Sequence, residues 1–151
     1  MKFFETALPP VSGSQRTART ITRARLPLLG WSGDIDEAAQ VVSWLVDNAV
    51  RYGLDPQRPA LPVELRLGVT ASGELIIAVR DAASSFPDFA EIVSGALAPQ
   101  GPTAVPLSSL YRARREFGAR IACCTDPESN TKTVQVTLSP HPRSLPQGGV
   151  G

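Results

Sequence analysis

Val41-Val42-Ser43-Trp44-Leu45-Val46-Asp47-Asn48-Ala49-Val50-Arg51-Tyr52-Gly53 is the stretch that decides how the rest of the chain is read. Ile35, Ala38, Val42, Leu45 or Val46, and Ala49 recur at three- and four-residue spacing, which lays them along one face of a helix. Asp34 or Asp36 puts acid at its positive end. Gly53 stands where a left-handed C-terminal cap would close it. Asn48 borders the packing face, and an amide placed there needs partners, because leaving it unpaired costs about 1–3 kcal/mol.

Upstream, Phe3 to Leu8 alternate weakly, as an edge strand would, and Pro9-Pro10 end the run. Ser12 or Ser14 is placed to cap a helix over residues 16–25 that Pro27 stops. Arg16, Arg19 and Arg23 share one face of it. That face is either an ordinary solvated surface or a seat for an acidic partner or phosphate. Downstream, Val63, Leu65, Leu67 and Val69 alternate with Glu64, Arg66 and Gly68, which predicts a strand buried on one face. Ala71-Ser72-Gly73-Glu74 turns the chain into a second strand, Leu75 to Arg80, giving an antiparallel hairpin.

A short helix through Phe89, Ile92, Val93 and Leu97 follows, then a breaker-rich loop over residues 99–106. Leu107, Leu110, Ala113, Arg114 and Phe117 predict another amphipathic helix closed by Gly118. Residues 119–125 and 131–138 complete the pattern as two strands around a turn at residues 126–130. Residues 1–138 thus read as one domain. Residues 139–151, rich in Pro, Gly and Ser, read as a disordered tail, and His141, the only histidine, lies in it without metal-ligating neighbours.

The chain has 151 residues, 42% hydrophobic and 19% charged, with a net charge of +1. That balance gives no global field for nucleic acid or a membrane surface. No run approaches 18 apolar residues, and Met1 to Thr6 lack the pattern of a secretory signal. The expectation is therefore a cytoplasmic protein. Cys123 and Cys124, the only cysteines, are adjacent; as two reduced thiols on one strand, one faces the core and the other the opposite side.

The element order predicts an α+β two-layer sandwich, helices on one face of a mixed, mostly antiparallel sheet. The helix at residues 41–53 resembles the N-box of the histidine-kinase-like ATPases, the superfamily of sensor kinases, gyrase B and MutL. The resemblance is nearest to the single-domain bacterial anti-sigma-factor serine kinases, with their approximate pattern V-V-S-E-L-V-x-N-A-V-R-H-G. Val41, Val42, Ser43, Leu45, Val46, Asn48, Ala49, Val50, Arg51 and Gly53 match it. The element order is also that family's Bergerat fold, so the resemblance covers residues 3–138.

The resemblance implies an ATP site between helices and sheet, in which Asn48 binds magnesium. The family's glutamate, which activates the attacking nucleophile, would stand four residues before it, on the same helix face. Trp44 stands there instead and cannot accept a proton; it either plugs the pocket or belongs to the core. The family's D-x-G-x-G-x-P run, whose aspartate reads the adenine amino group, corresponds to Asp81-Ala82-Ala83-Ser84-Ser85-Phe86-Pro87. Asp81 and Pro87 are kept, while Ala83 and Ser85 replace both glycines.

The glycine-rich phosphate cradle corresponds to Ala104-Val105-Pro106-Leu107-Ser108-Ser109-Leu110, without glycines and with Pro106 lacking an N–H. Lys132-Thr133-Val134 matches a K-T-V whose threonine helps hold the adenine. The site residues this gives are Asn48, Asp81, Ala83, Ser85 and Thr133 for a vestigial nucleotide site, with no catalytic residue. ATP and magnesium would bind weakly or not at all.

Functionally, the resemblance implies a catalytically inactive regulatory protein that binds a partner such as a sigma factor or anti-anti-sigma factor, with no direct nucleic acid, no membrane and room for a homodimer. The alternative is a working ATP-dependent serine/threonine kinase with an unusual site.

Overall fold

The computed structural model describes residues 2–53, 57, 61–83, 85–87, 89–95 and 104–140, with only the backbone described for 104–108. The elements are β1 (Lys2–Leu8), α1 (Ser14–Leu29), α2 (Ile35–Tyr52), β2 (Val63–Val69), β3 (Leu75–Asp81), α3 (Phe89–Ser94), α4 (Ala104–Phe117), β4 (Arg120–Asp126) and β5 (Thr131–Leu138). The strands form one five-stranded sheet in the order β1-β2-β3-β5-β4.

Every ladder is antiparallel, which corrects the expectation of a mixed sheet. The two-helix excursion from β1 returns the chain to the end of the sheet that it left, so Val63 pairs with Leu8 and β2 runs back along β1. β5 lies between β3 and β4, which run in the same direction, so each of them has an antiparallel neighbour.

Strand alternation sorts the side chains by face. Leu65, Leu67, Leu75, Ile77, Val79 and Val136 turn toward the helices and are almost wholly buried. Each such side chain contributes about 1.5–3 kcal/mol through burial. Val41, Val42, Leu45, Val46 and Ala49 of α2 and Ala18 and Leu26 of α1 complete that core. The other sheet face carries charge: Glu5 pairs with Arg66 across β1–β2 at 3.0 Å, and Glu64 pairs with Arg80 across β2–β3.

Three details differ from the sequence reading. Pro27 does not stop α1, because it sits in the last turn, where few backbone bonds remain to lose. The Leu26 and Pro27 carbonyls accept instead from the Trp31 and Gly30 N–H groups (3.1 and 3.2 Å), with Gly30 at φ 78° as a left-handed cap. Neither Ser12 nor Ser14 caps the start; Gly13 does so at φ 100°, and the Ser14 hydroxyl donates to the Pro9 carbonyl. Residues 104–106 open α4 rather than lying in a loop. Proline is tolerated in a first helical turn, whose N–H groups have no intrahelical acceptor.

The remaining strand boundaries fall within a residue of those expected. Cys123 is a half-buried free thiol packed against the core and Cys124 an exposed one. Burial pushes the Cys123 thiol up. Leu97, the loop over 99–103 and the tail from residue 141, including His141, lie outside the described residues. Among the described residues no helix is long and apolar enough to cross a membrane.

Candidate functional site

The site is built where the C-terminal end of α2 meets the ends of β3 and β5. The Asp34 side chain caps α2 by accepting from the Glu37 N–H at 3.0 Å. Seventeen residues further on, counting from the first residue of the helix, the chain reaches Tyr52 and then Gly53. Gly53 is not the left-handed cap expected of it, since its φ is −93°. A glycine is needed for another reason. A Cβ there would lie 2.4 Å from both Asp81 Cγ and the Ala49 carbonyl oxygen. The Gly53 carbonyl also accepts from the Ala82 N–H at 2.9 Å, which ties the helix end to the end of β3.

Asp81 is 5% exposed and turns toward the helices, like Val79 before it. One carboxylate oxygen accepts from Lys132 Nζ at 3.0 Å, and the other accepts from the Ala83 N–H at 2.9 Å. The Lys132 and Asp81 side chains are only 5% and 3% exposed. The Phe86 ring lies over Lys132 Nζ at 5.0 Å and packs edge-on against Phe89. Burial pushes the Asp81 carboxyl above the ordinary carboxylate range; the Lys132 ammonium and the Ala83 N–H pull it partly back.

Lys132, not Thr133, is the β5 residue facing Asp81. The ladder pairs Asp81 with Lys132 and Arg80 with Thr133, so Thr133 belongs to the open face of the sheet. The sequence carried the signal: Val134, Val136 and Leu138 set the inward phase, and residue 132 shares it.

Asn48 is 7% exposed, and among the described residues neither its Nδ2 nor its Oδ1 has a hydrogen-bond partner. Trp44, one turn earlier on α2, is half-buried. Its indole stacks on Phe117 of α4 with centroids 5.9 Å apart and planes 9° from parallel, and the Arg112 guanidinium lies 5.1 Å from its ring. Phe117 was expected on the apolar face of this helix, but no motif marks Arg112 or the contact itself, which bridges two helices far apart in sequence. Ala83 is half-buried and Ser85 exposed.

On α1, the expected arginine face is partly engaged: Arg19 donates to the Ser43 hydroxyl at 3.1 Å and Arg23 pairs with Asp36 at 3.2 Å. Arg16 is exposed.

No family model and no curated protein sequence matches the chain. Solved structures match it along nearly its whole length. The RsbU and RsbW domains of Rv1364c from Mycobacterium tuberculosis superpose with a TM-score of 0.56 at 16% identity, covering 91% of this chain. The catalytic domain of histidine kinase ThkA gives 0.54 at 14%, covering 96% of this chain and all of that one. The mycobacterial sensor histidine kinase MprB gives 0.53 at 12%, covering 91% of this chain and 97% of that one.

The chain has the histidine-kinase-like ATPase fold. It spans 32% of the RsbU–RsbW chain, so that protein is larger than the domain they share.

The expectation from the sequence puts magnesium at Asn48 and an adenine amino group at Asp81. The Asn48 end fits: a buried amide with a free oxygen suits magnesium, which keeps several waters and takes one or two protein ligands beside substrate phosphates. Among the described residues no group of three or more His, Cys, Asp or Glu is placed to hold a metal. The Asp81 end does not fit an adenine amino group, since the side chain is only 3% exposed and both carboxylate oxygens already accept from within the chain.

Proposed function

We propose that this histidine-kinase-like domain is a catalytically inactive regulatory module that acts by binding a protein partner, of the class to which sigma factors and anti-anti-sigma factors belong. The observation that carries the reading is Trp44. An indole occupies the helix position from which an acid would reach a nucleophile, and it is held there by its stack on Phe117 and the nearby Arg112 guanidinium. It has no basic atom, and a missing general base alone costs about 10²–10⁴-fold in rate. The likeness to a chain that holds RsbU and RsbW domains supports the choice of partner class.

The test is phosphotransfer and ATP hydrolysis with magnesium, using the purified chain. The expected result is no turnover above background. Turnover that disappears in Asn48→Ala overturns the proposal.

A second reading, a working ATP-dependent kinase, draws on the unpartnered Asn48 amide, which suits a ligand. Calorimetric titration with ATP and magnesium separates the two. Sub-millimolar binding lost in Asn48→Ala, together with turnover, favours the kinase. Weak or absent binding favours the regulatory module.

A further inference from the structure

We propose that Lys132 is a built-in ligand: its ammonium takes the donor position on Asp81 that a base's exocyclic amino group would need, and so closes this end of the site to adenine nucleotides. The inference rests on the reading of the domain as inactive and names the residue that keeps it so toward nucleotide.

The geometry is enclosed on each side. Lys132 Nζ holds one Asp81 oxygen at 3.0 Å and the Ala83 N–H holds the other at 2.9 Å. Gly53 backs directly onto the carboxylate, with no room for even a methyl group between them. Phe86 covers the ammonium and is itself braced by Phe89.

Each carboxylate oxygen can accept a second hydrogen bond, but with the side chain only 3% exposed an incoming amino group reaches one only by displacing Lys132, which leaves an ammonium buried against an aromatic ring without its counter-ion. Separating a buried pair in this way is costly, because the stranded charge keeps its desolvation penalty. A ligand held by one new hydrogen bond cannot offset that. The exchange fails on energy as well as on space.

Lys132→Thr tests this. Threonine suits a strand, is too short to reach the carboxylate as lysine does, and leaves an Asp81 oxygen open. Adenosine and magnesium–ATP are titrated calorimetrically into wild type, Lys132→Thr and Lys132→Thr/Asp81→Asn. The expected result is adenosine affinity at least about tenfold tighter in Lys132→Thr than in wild type, with the gain lost in the double variant. A folded Lys132→Thr that binds no tighter, or a wild type that already binds adenosine as well, overturns the inference.

If Lys132→Thr does not fold, the wild-type chain still decides. It has two lysines, Lys2 exposed and Lys132 buried. Acetylation at neutral pH, read by mass spectrometry, should modify Lys132 at least about a hundredfold more slowly than Lys2, because it requires local opening. Millimolar magnesium–ATP should leave that ratio unchanged. Comparable rates for the two lysines, or a rise at Lys132 when ATP is added, overturn the closure. Turnover by wild type would instead sink the inactive reading itself, and a silent wild type whose Lys132→Thr gains nothing sinks only the role of Lys132.

Discussion

Arg80 and Asp81 are neighbours on β3, and each is half of an ion pair across the sheet. Arg80 pairs with Glu64 on the open face, where the two side chains are 48% and 49% exposed. Asp81 pairs with Lys132 on the helix face, where almost nothing is exposed. One residue of strand alternation carries the same chemistry from solvent into the core. The outer pair exchanges water for a partner at little net gain, about 0–1 kcal/mol. For the inner pair the desolvation is already complete, so each charge depends on the other.

Lys132→Met should have the largest effect. It strands the Asp81 carboxylate and should cost about 3–5 kcal/mol in a urea melt. The double variant Asp81→Leu/Lys132→Met should regain most of that loss. A single variant costing no more than an outer-face one would erase the distinction between the two faces.

Trp44→Glu carries the comparison onto α2. It removes a half-buried ring from Phe117 and Arg112 and sets a carboxylate beside the core, so the expected loss is about 2–3 kcal/mol. A negligible loss would mean that the indole only plugs a pocket that water can refill. Glu64→Gln, on the open face, should change stability by less than about 1 kcal/mol, and less still in high salt.

The smallest effects lie in the pH dependence, where two aspartates should act with opposite sign. Burial holds Asp81 above the ordinary carboxylate range, so the fold favours its protonated form. Its contribution is present in acid and is lost as pH rises through the raised value. Asp126 is held low, because it accepts from the Ser129 hydroxyl and the Glu128 N–H in the β4–β5 turn. Its contribution is present above the ordinary value and is lost as pH falls through the lowered one. Melting temperature against pH should therefore lose its acid limb in Asp126→Asn and flatten on the higher-pH side of the carboxylate range in Asp81→Asn. If both variants flatten the same side, the assignment of the two environments fails.

Periodicity made most of this fold legible. α2, β2, β3 and β5 follow from their apolar spacing, because a buried face must be apolar at the period of its own backbone. Pro27 was over-read because a proline signal does not say how many helical bonds remain to be broken. The candidate site was legible in its parts: Asn48 and Trp44 are marked by one local pattern and Asp81 by another. The Lys132 partner was hidden because the family's K-T-V pattern points to Thr133, whereas strand alternation puts residue 132 on the inward face. The Trp44–Phe117 stack and the approach of Gly53 to Asp81 depend on elements that meet only in three dimensions.

The position of β5 between β3 and β4 also sets the order in which the molecule can be assembled. The β2–β3 and β4–β5 hairpins close over short turns, but the β3–β5 ladder waits for the whole segment from α3 through β4 to fold back. Long-range pairing of this kind is slow, because chain entropy is lost before any contact rewards it. The ladder is a seam between the two hairpins, and Asp81 and Lys132 sit at its end. Until the seam closes, both charges remain hydrated. Their burial is thus a late event, and Lys132→Met should raise the unfolding rate while leaving the folding rate nearly unchanged in stopped-flow measurements.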